Sequence, residues 1–165
     1  MMKKFLWIIL VTALMFTFTS CTSQTTIQGF AKEDVCLSIE GAQYRNKDNI
    51  ETVIKVLGEG YDYSEGLSCA YDGMDKTYDY ATASFYTNPL PEGDLVSEIY
   101  TNSSDVSTSK GVRVGMSRED IVAVYGDGED FGNMLVYRSD ADAGSLCFEM
   151  DGDTIAAIFI TTEPV

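Results

Sequence analysis

Read for the spacing of its apolar positions, the chain contains two stretches of one design. In the clearer one, GVRVGMSREDIVAVYG from Gly111 to Gly126, Val112 and Val114 alternate with polar neighbours as a short half-buried strand does. Gly115 permits a sharp turn, and Ile121, Val124 and Tyr125 then fall on one helical face. Ser117, followed three residues later by Asp120, has capping-box spacing with acidic charge at the positive end of the helix dipole, and Gly126 is a stop suited to a left-handed conformation. A looser copy begins at Gly41. There Asp48 and Glu51 repeat the capping spacing, Ile50, Val53, Ile54 and Leu57 form an i, i+3, i+4, i+7 stripe, and Gly58 closes the helix. Aligning Leu57-Gly58 with Tyr125-Gly126 also aligns Val53 with Ile121 and Val56 with Val124, which reads as an internal repeat. Each helix is about two to three turns long, too short to persist alone, so packing must hold it.

Period-two patterns surround these helices. Val35, Leu37 and Ile39 would share one face of a strand from Asp34 to Ile39, leaving Cys36 on the other. After the first helix, Tyr78, Tyr80, Phe85 and Tyr86 favour strands, Pro89 to Asp94 reads as a loop, Leu95 to Thr101 as a strand and Asn102 to Lys110 as a polar linker. After the second come strands near Met134 to Tyr137, Ser145 to Met150 and Thr154 to Thr161, with an Asp151-Gly152 hairpin turn. The expectation is an α+β fold of two tandem repeats, each a short helix packed on a three- to four-stranded antiparallel sheet. Repeat 1 spans 34–103 with its helix at about 48–57, and repeat 2 spans 104–165 with its helix at about 117–125.

The N-terminus follows other rules. Lys3 and Lys4 precede an apolar run of 14 residues from Phe5 to Phe18, short for a membrane span but suited to a signal-peptide core. Thr19 and Ser20 then lead into Cys21. Small residues directly before a cysteine resemble the bacterial lipobox, which implies cleavage after residue 20 and lipid attachment at Cys21. Residues 21–33, Ser/Thr/Gln-rich from Thr22 to Gln28, read as a flexible tether. The expected location is therefore the extracytoplasmic face of a cell membrane, with the membrane itself one partner through the lipid.

Charge narrows the remaining partners. Loss of Lys3 and Lys4 with the leader leaves 9 bases against 26 acids and takes the formal charge from -15 to -17. Such a surface is repelled by nucleic acid, so no nucleic-acid partner is expected. Histidine is absent, which removes Ser-His-Asp and Cys-His nucleophilic sites and the commonest zinc ligand. No cofactor is expected. The acidic runs Asp72, Asp75, Asp79 and Asp127, Glu129, Asp130 do not fit a twelve-residue calcium loop and read as solvated turns. Of Cys36, Cys69 and Cys147, the first two lie in one repeat and are the more plausible disulfide pair; three reduced thiols are the alternative.

The GVxxGxSxxDxxxxYG-like segment with its strand meander, together with SCAYDGMDKTYDY from Ser68 to Tyr80, resembles small uncharacterised lipoproteins of Gram-positive, Clostridia-type bacteria. More distantly, the order of elements is similar to β-lactamase inhibitor protein and to BamE-like outer-membrane assembly lipoproteins. Tyr71, Tyr78, Tyr80, Phe85 and Tyr86 form the densest aromatic group and are the candidate docking surface for a protein partner. The expected function is a membrane-anchored protein-binding or assembly module without catalysis. The alternatives are a carboxylate-dependent enzyme on cell-wall or extracellular material, or an inhibitor of a secreted enzyme.

Overall fold

A computed structural model describes residues 29–165; the expected leader, Cys21 and the expected tether up to Gln28 lie outside the described residues. Strands account for 46% of the described residues and helices for 14%. A 3-10 turn at Lys32–Asp34 leads into β1 (Leu37–Ile39) and β2 (Ala42–Tyr44), then α1 (Ile50–Leu57). The meander β3 (Tyr61–Leu67), β4 (Met74–Tyr80), β5 (Ser84–Leu90) and β6 (Gly93–Thr101) follows. After β7 (Ser107–Thr108) and α2 (Arg118–Tyr125), the chain ends in β8 (Glu129–Phe131), β9 (Met134–Arg138), β10 (Ser145–Asp151) and β11 (Thr154–Thr161).

The expectation of an α+β fold of two tandem helix-on-sheet repeats is corrected: the chain is mostly β, and its strands pair across the expected repeats. Eight of them form one continuous antiparallel sheet in the order β3-β4-β5-β6-β11-β10-β9-β8, and β2-β1-β7 form a separate three-stranded sheet. The two halves are fused where β11 pairs with β6, from Ile158 opposite Thr101 to Thr161 opposite Glu98. Fusion gives both strands a hydrogen-bonded neighbour on each side, whereas two separate sheets would leave each with an open edge. β7, inside the stretch expected to be a linker, pairs with β1 and so ties the sequence between the halves back to the N-terminal hairpin. Leu37 and Ile39 of the small sheet, Ile50 and Val53 of α1, Ile121 and Tyr125 of α2, and Phe85, Ile99, Leu146, Phe148, Ile158 and Ile160 of the large sheet share a single buried cluster.

Local details sharpen the sequence reading. Ser117 and Asp120 form the expected capping box on α2. On α1, however, Asn49 is the N-cap, its side chain accepting from Glu51 N, while Asp48 accepts from the backbone N-H of Arg45 at 2.8 Å and shapes the turn before it. Val112 and Val114 lie outside any strand, Val114 in a turn, although Val112 is fully buried. Both stop glycines have positive φ with extended ψ, 82° and -173° at Gly58 and 80° and -165° at Gly126. That region is open to glycine almost alone, a stricter demand than the left-handed helical conformation expected. Proline 89 is inside β5, opposite Asp94, so the expected Pro89 to Asp94 loop shrinks to the turn between Leu90 and Gly93.

A polar knot closes the core near the N-terminus. Asp34, buried, pairs with Lys110 at 2.8 Å and accepts from Ala31 N-H and the Ser109 hydroxyl, both at 2.9 Å. The Lys110 ammonium also lies 4.8 Å from the centre of the Tyr125 ring, whose hydroxyl donates to Thr108. Burial pushes the Asp34 carboxyl up, but Lys110, the Ala31 N-H and the Ser109 hydroxyl outweigh it and hold the carboxyl below its ordinary value.

Candidate functional site

The register of the large sheet assigns its two faces, because directly opposed residues on antiparallel neighbours point the same way. One row crosses all eight strands: Asp62, Asp79, Ser84, Tyr100, Phe159, Cys147, Val136 and Glu129. It lies opposite the core row that contains Tyr78, Phe85, Ile99, Ile160 and Leu146. A parallel row on the same outer face runs Ser64, Thr77, Tyr86, Glu98, Thr161, Ser145 and Arg138. The core cluster, both helices and the small sheet occupy the other side. The outer face has only a small apolar patch of Val136, Cys147 and Phe159, with Tyr100, Met134 and Val165 packed against it.

A cleft lies beside a bulge in this face. Ser97 is an extra residue on β6, between the pairs Glu98 with Tyr86 and Val96 with Thr87; its hydroxyl donates to Tyr86 O, and its own carbonyl accepts from Thr162 N-H. The bulge keeps Val96 in the core while Glu98 points outward beside Tyr86. The loop joining β3 to β4 is stabilised by the Ser68 hydroxyl, which accepts from the N-H groups of Ala70 and Tyr71. That loop overhangs the outer face and bounds a cavity of about 360 Å³ lined by Tyr71, Asp75, Tyr86, Glu98 and Glu163 among others. Burial raises the Glu98 carboxyl above its ordinary value, the Thr161 hydroxyl opposes that, and the neighbouring charges of Glu163 and Glu149 add to it. Asp75 Oδ1 is shielded from solvent and has no hydrogen-bond partner.

The five aromatic candidates do not form one surface. Phe85 and Tyr78 are core residues. Tyr80 is half-buried on the same side, stacked edge-on against Phe85 and Tyr61, with its hydroxyl donating to Gly58 O. Tyr71 and Tyr86 remain exposed, at 41% and 37%, and both reach the cleft. Strand alternation explains the division, since Phe85 and Tyr86 are adjacent and must face opposite ways. Glu98 and Tyr100 were absent from the sequence-derived surface. Their signal was alternation with Ile99 in Leu95 to Thr101, but alternation alone does not say which side the core takes.

The Cys36–Cys69 disulfide is not formed. Cys36 is buried beside the Lys32–Asp34 turn, its thiol 3.5 Å from Glu33 O, whereas Cys69 is exposed in the β3–β4 loop. Burial pushes the Cys36 thiol up, and that of Cys147 up to about 12. Among the described residues, no group of three or more Cys, Asp or Glu side chains is placed to hold a metal ion. Nor, among them, is any helix long and apolar enough to cross a membrane.

No family model and no curated protein matches the chain. Among solved structures, that of the uncharacterized protein yfeY from Escherichia coli is similar at 14% identity, covering 68% of this chain and 88% of that one, with a TM-score of 0.42. A likeness at that level carries no functional argument, and the outer sheet face stands on its own geometry.

Proposed function

We propose that the mature chain is an extracytoplasmic lipoprotein, held to a membrane through Cys21, that binds a protein partner on the outer face of its large sheet. The observation carrying this reading is the asymmetry of that sheet: one face is covered by both helices and the small sheet, while the other leaves Tyr86 exposed beside the Tyr100 and Phe159 pair. Tyr rings offer a large contact area at low entropic cost, which suits docking. The leader-like segment and lipobox-like Cys21 support a position for that face outside the cell and near a membrane surface.

Site-directed photocrosslinking on cells tests this. A photoreactive residue at Tyr86 or Tyr100 should capture one protein in a defined band, and the same residue at the exposed Ala123 of α2 should not. Equal capture at all three positions, or none at Tyr86 and Tyr100, refutes the assignment. In parallel, Cys21→Ala should release the chain from the membrane fraction; continued retention would remove the lipid anchor from the proposal.

A further inference from the structure

We infer that the partner presents a basic surface, and that one of its lysine or arginine side chains enters the cleft bounded by Tyr71, Asp75, Tyr86, Glu98 and Glu163. This rests on the outer-face reading above and specifies its partner by charge.

Charge complementarity comes first. Outer-face positions in register include the acids Asp62, Asp75, Asp79, Glu98, Glu129 and Glu149, against a single base, Arg138. Arg138 is already engaged, its Nε 2.9 Å from Glu129 and its guanidinium also donating to the Val165 carbonyl at 2.7 Å. An excess of one sign around a docking patch raises the encounter rate of an oppositely charged partner and rejects like-charged ones.

The cleft then supplies what a cationic side chain requires. Asp75 lines the cleft and its shielded Oδ1 has no hydrogen-bond partner in the fold, so a cation seated beside that carboxylate meets a charge that no donor on Oδ1 already neutralises. Glu98 offers a second carboxyl in a desolvated position, where pairing with a cation is stronger than in water. Tyr71 and Tyr86 add exposed aromatic rings, and ring faces attract ammonium and guanidinium groups. The carboxylates are not grouped for one metal ion. A flexible Lys or Arg stem, with several N-H donors at its tip, can satisfy groups spread around a cavity of about 360 Å³.

Two measurements on the full chain test the inference. In the first, the photoreactive residue is placed at Tyr100, on the outer face but not among the residues lining the cleft, and capture on cells is compared in Asp75→Asn/Glu98→Gln and Tyr71→Ala backgrounds. Capture should fall at least tenfold in the double variant and severalfold in Tyr71→Ala, whose exposed side chain can be cut without loss of core packing. In the second, the purified lipoprotein in detergent is titrated with an acetylated, amidated Arg-Lys-Arg peptide and with its Gln-Gln-Gln counterpart. The basic peptide should bind, weaken at least tenfold from 50 to 500 mM NaCl, and lose binding in the double variant; the neutral peptide should not bind. Undiminished capture at Tyr100 in the folded double variant overturns the cationic anchor while leaving outer-face binding intact. Equal binding of both peptides overturns it too. A crosslinked species at twice the chain's own mass assigns the face to a second copy, and likewise overturns it.

Discussion

Replacing Lys110 by Met tests the reasoning about the buried knot most directly. The Lys110 and Asp34 side chains are 17% and 8% exposed, so the pair is shielded from the solvent that makes surface ion pairs nearly neutral. Methionine fills much the same volume but leaves the Asp34 charge without its counterion. Removing one member of a buried pair costs about 3–5 kcal/mol, because the remaining charge is stranded away from water. Asp34 keeps the Ala31 N-H and the Ser109 hydroxyl, which moves the expectation to the lower end, about 3 kcal/mol, equivalent to a fall in Tm of roughly 10 °C for a chain of this size.

The pH dependence separates this cause from lost packing. In the wild type the Asp34 carboxyl lies below its ordinary 3.8, so its contribution is fully present above that value and is lost as pH falls through the lowered native pKa. In Lys110→Met the native pKa is higher, because burial loses its strongest opponent. The stability gap between the two proteins therefore narrows as pH falls through the variant's native pKa and is smallest below the wild type's. Asp34→Asn/Lys110→Met should recover most of the loss at neutral pH. Urea titrations from pH 7 to about pH 2 measure all of this. A gap under about 1 kcal/mol, or one independent of pH, would show that the pair behaves as an exposed salt bridge and refute the argument.

Two further predictions concern the scaffold. Gly126→Ala should lower stability by about 2 kcal/mol through backbone strain alone, since a Cβ there meets nothing within 4 Å; Gly60→Ala, also in open space but without positive φ, should change it by less than about 0.5 kcal/mol, and equal losses would reject the strain account. In a Cys21→Ser chain, native thiol labelling should find one fast-reacting cysteine, Cys69, with Cys36 and Cys147 reacting only on unfolding; fewer than three thiols in the unfolded, unreduced chain would mean that a disulfide exists after all.

Elements set by neighbours in sequence were legible before any fold was known. Ser117, Asp120 and Gly126 delimit α2, and the alternation in SLCFEM places Cys147 opposite Leu146 and Phe148, because capping and strand pleat act over three or four residues. Three features required the tertiary structure. The joining of β6 to β11 makes one sheet where two were expected, and strand periodicity carries no record of which edges will meet. The Ser97 bulge turns Glu98 outward next to Tyr86, a detail that depends on one extra residue opposite β5. The division of the aromatic group into core and cleft follows from which sheet face the helices cover: pattern alone shows that Phe85 and Tyr86 part company, and only packing decides that Tyr86 is the one left exposed.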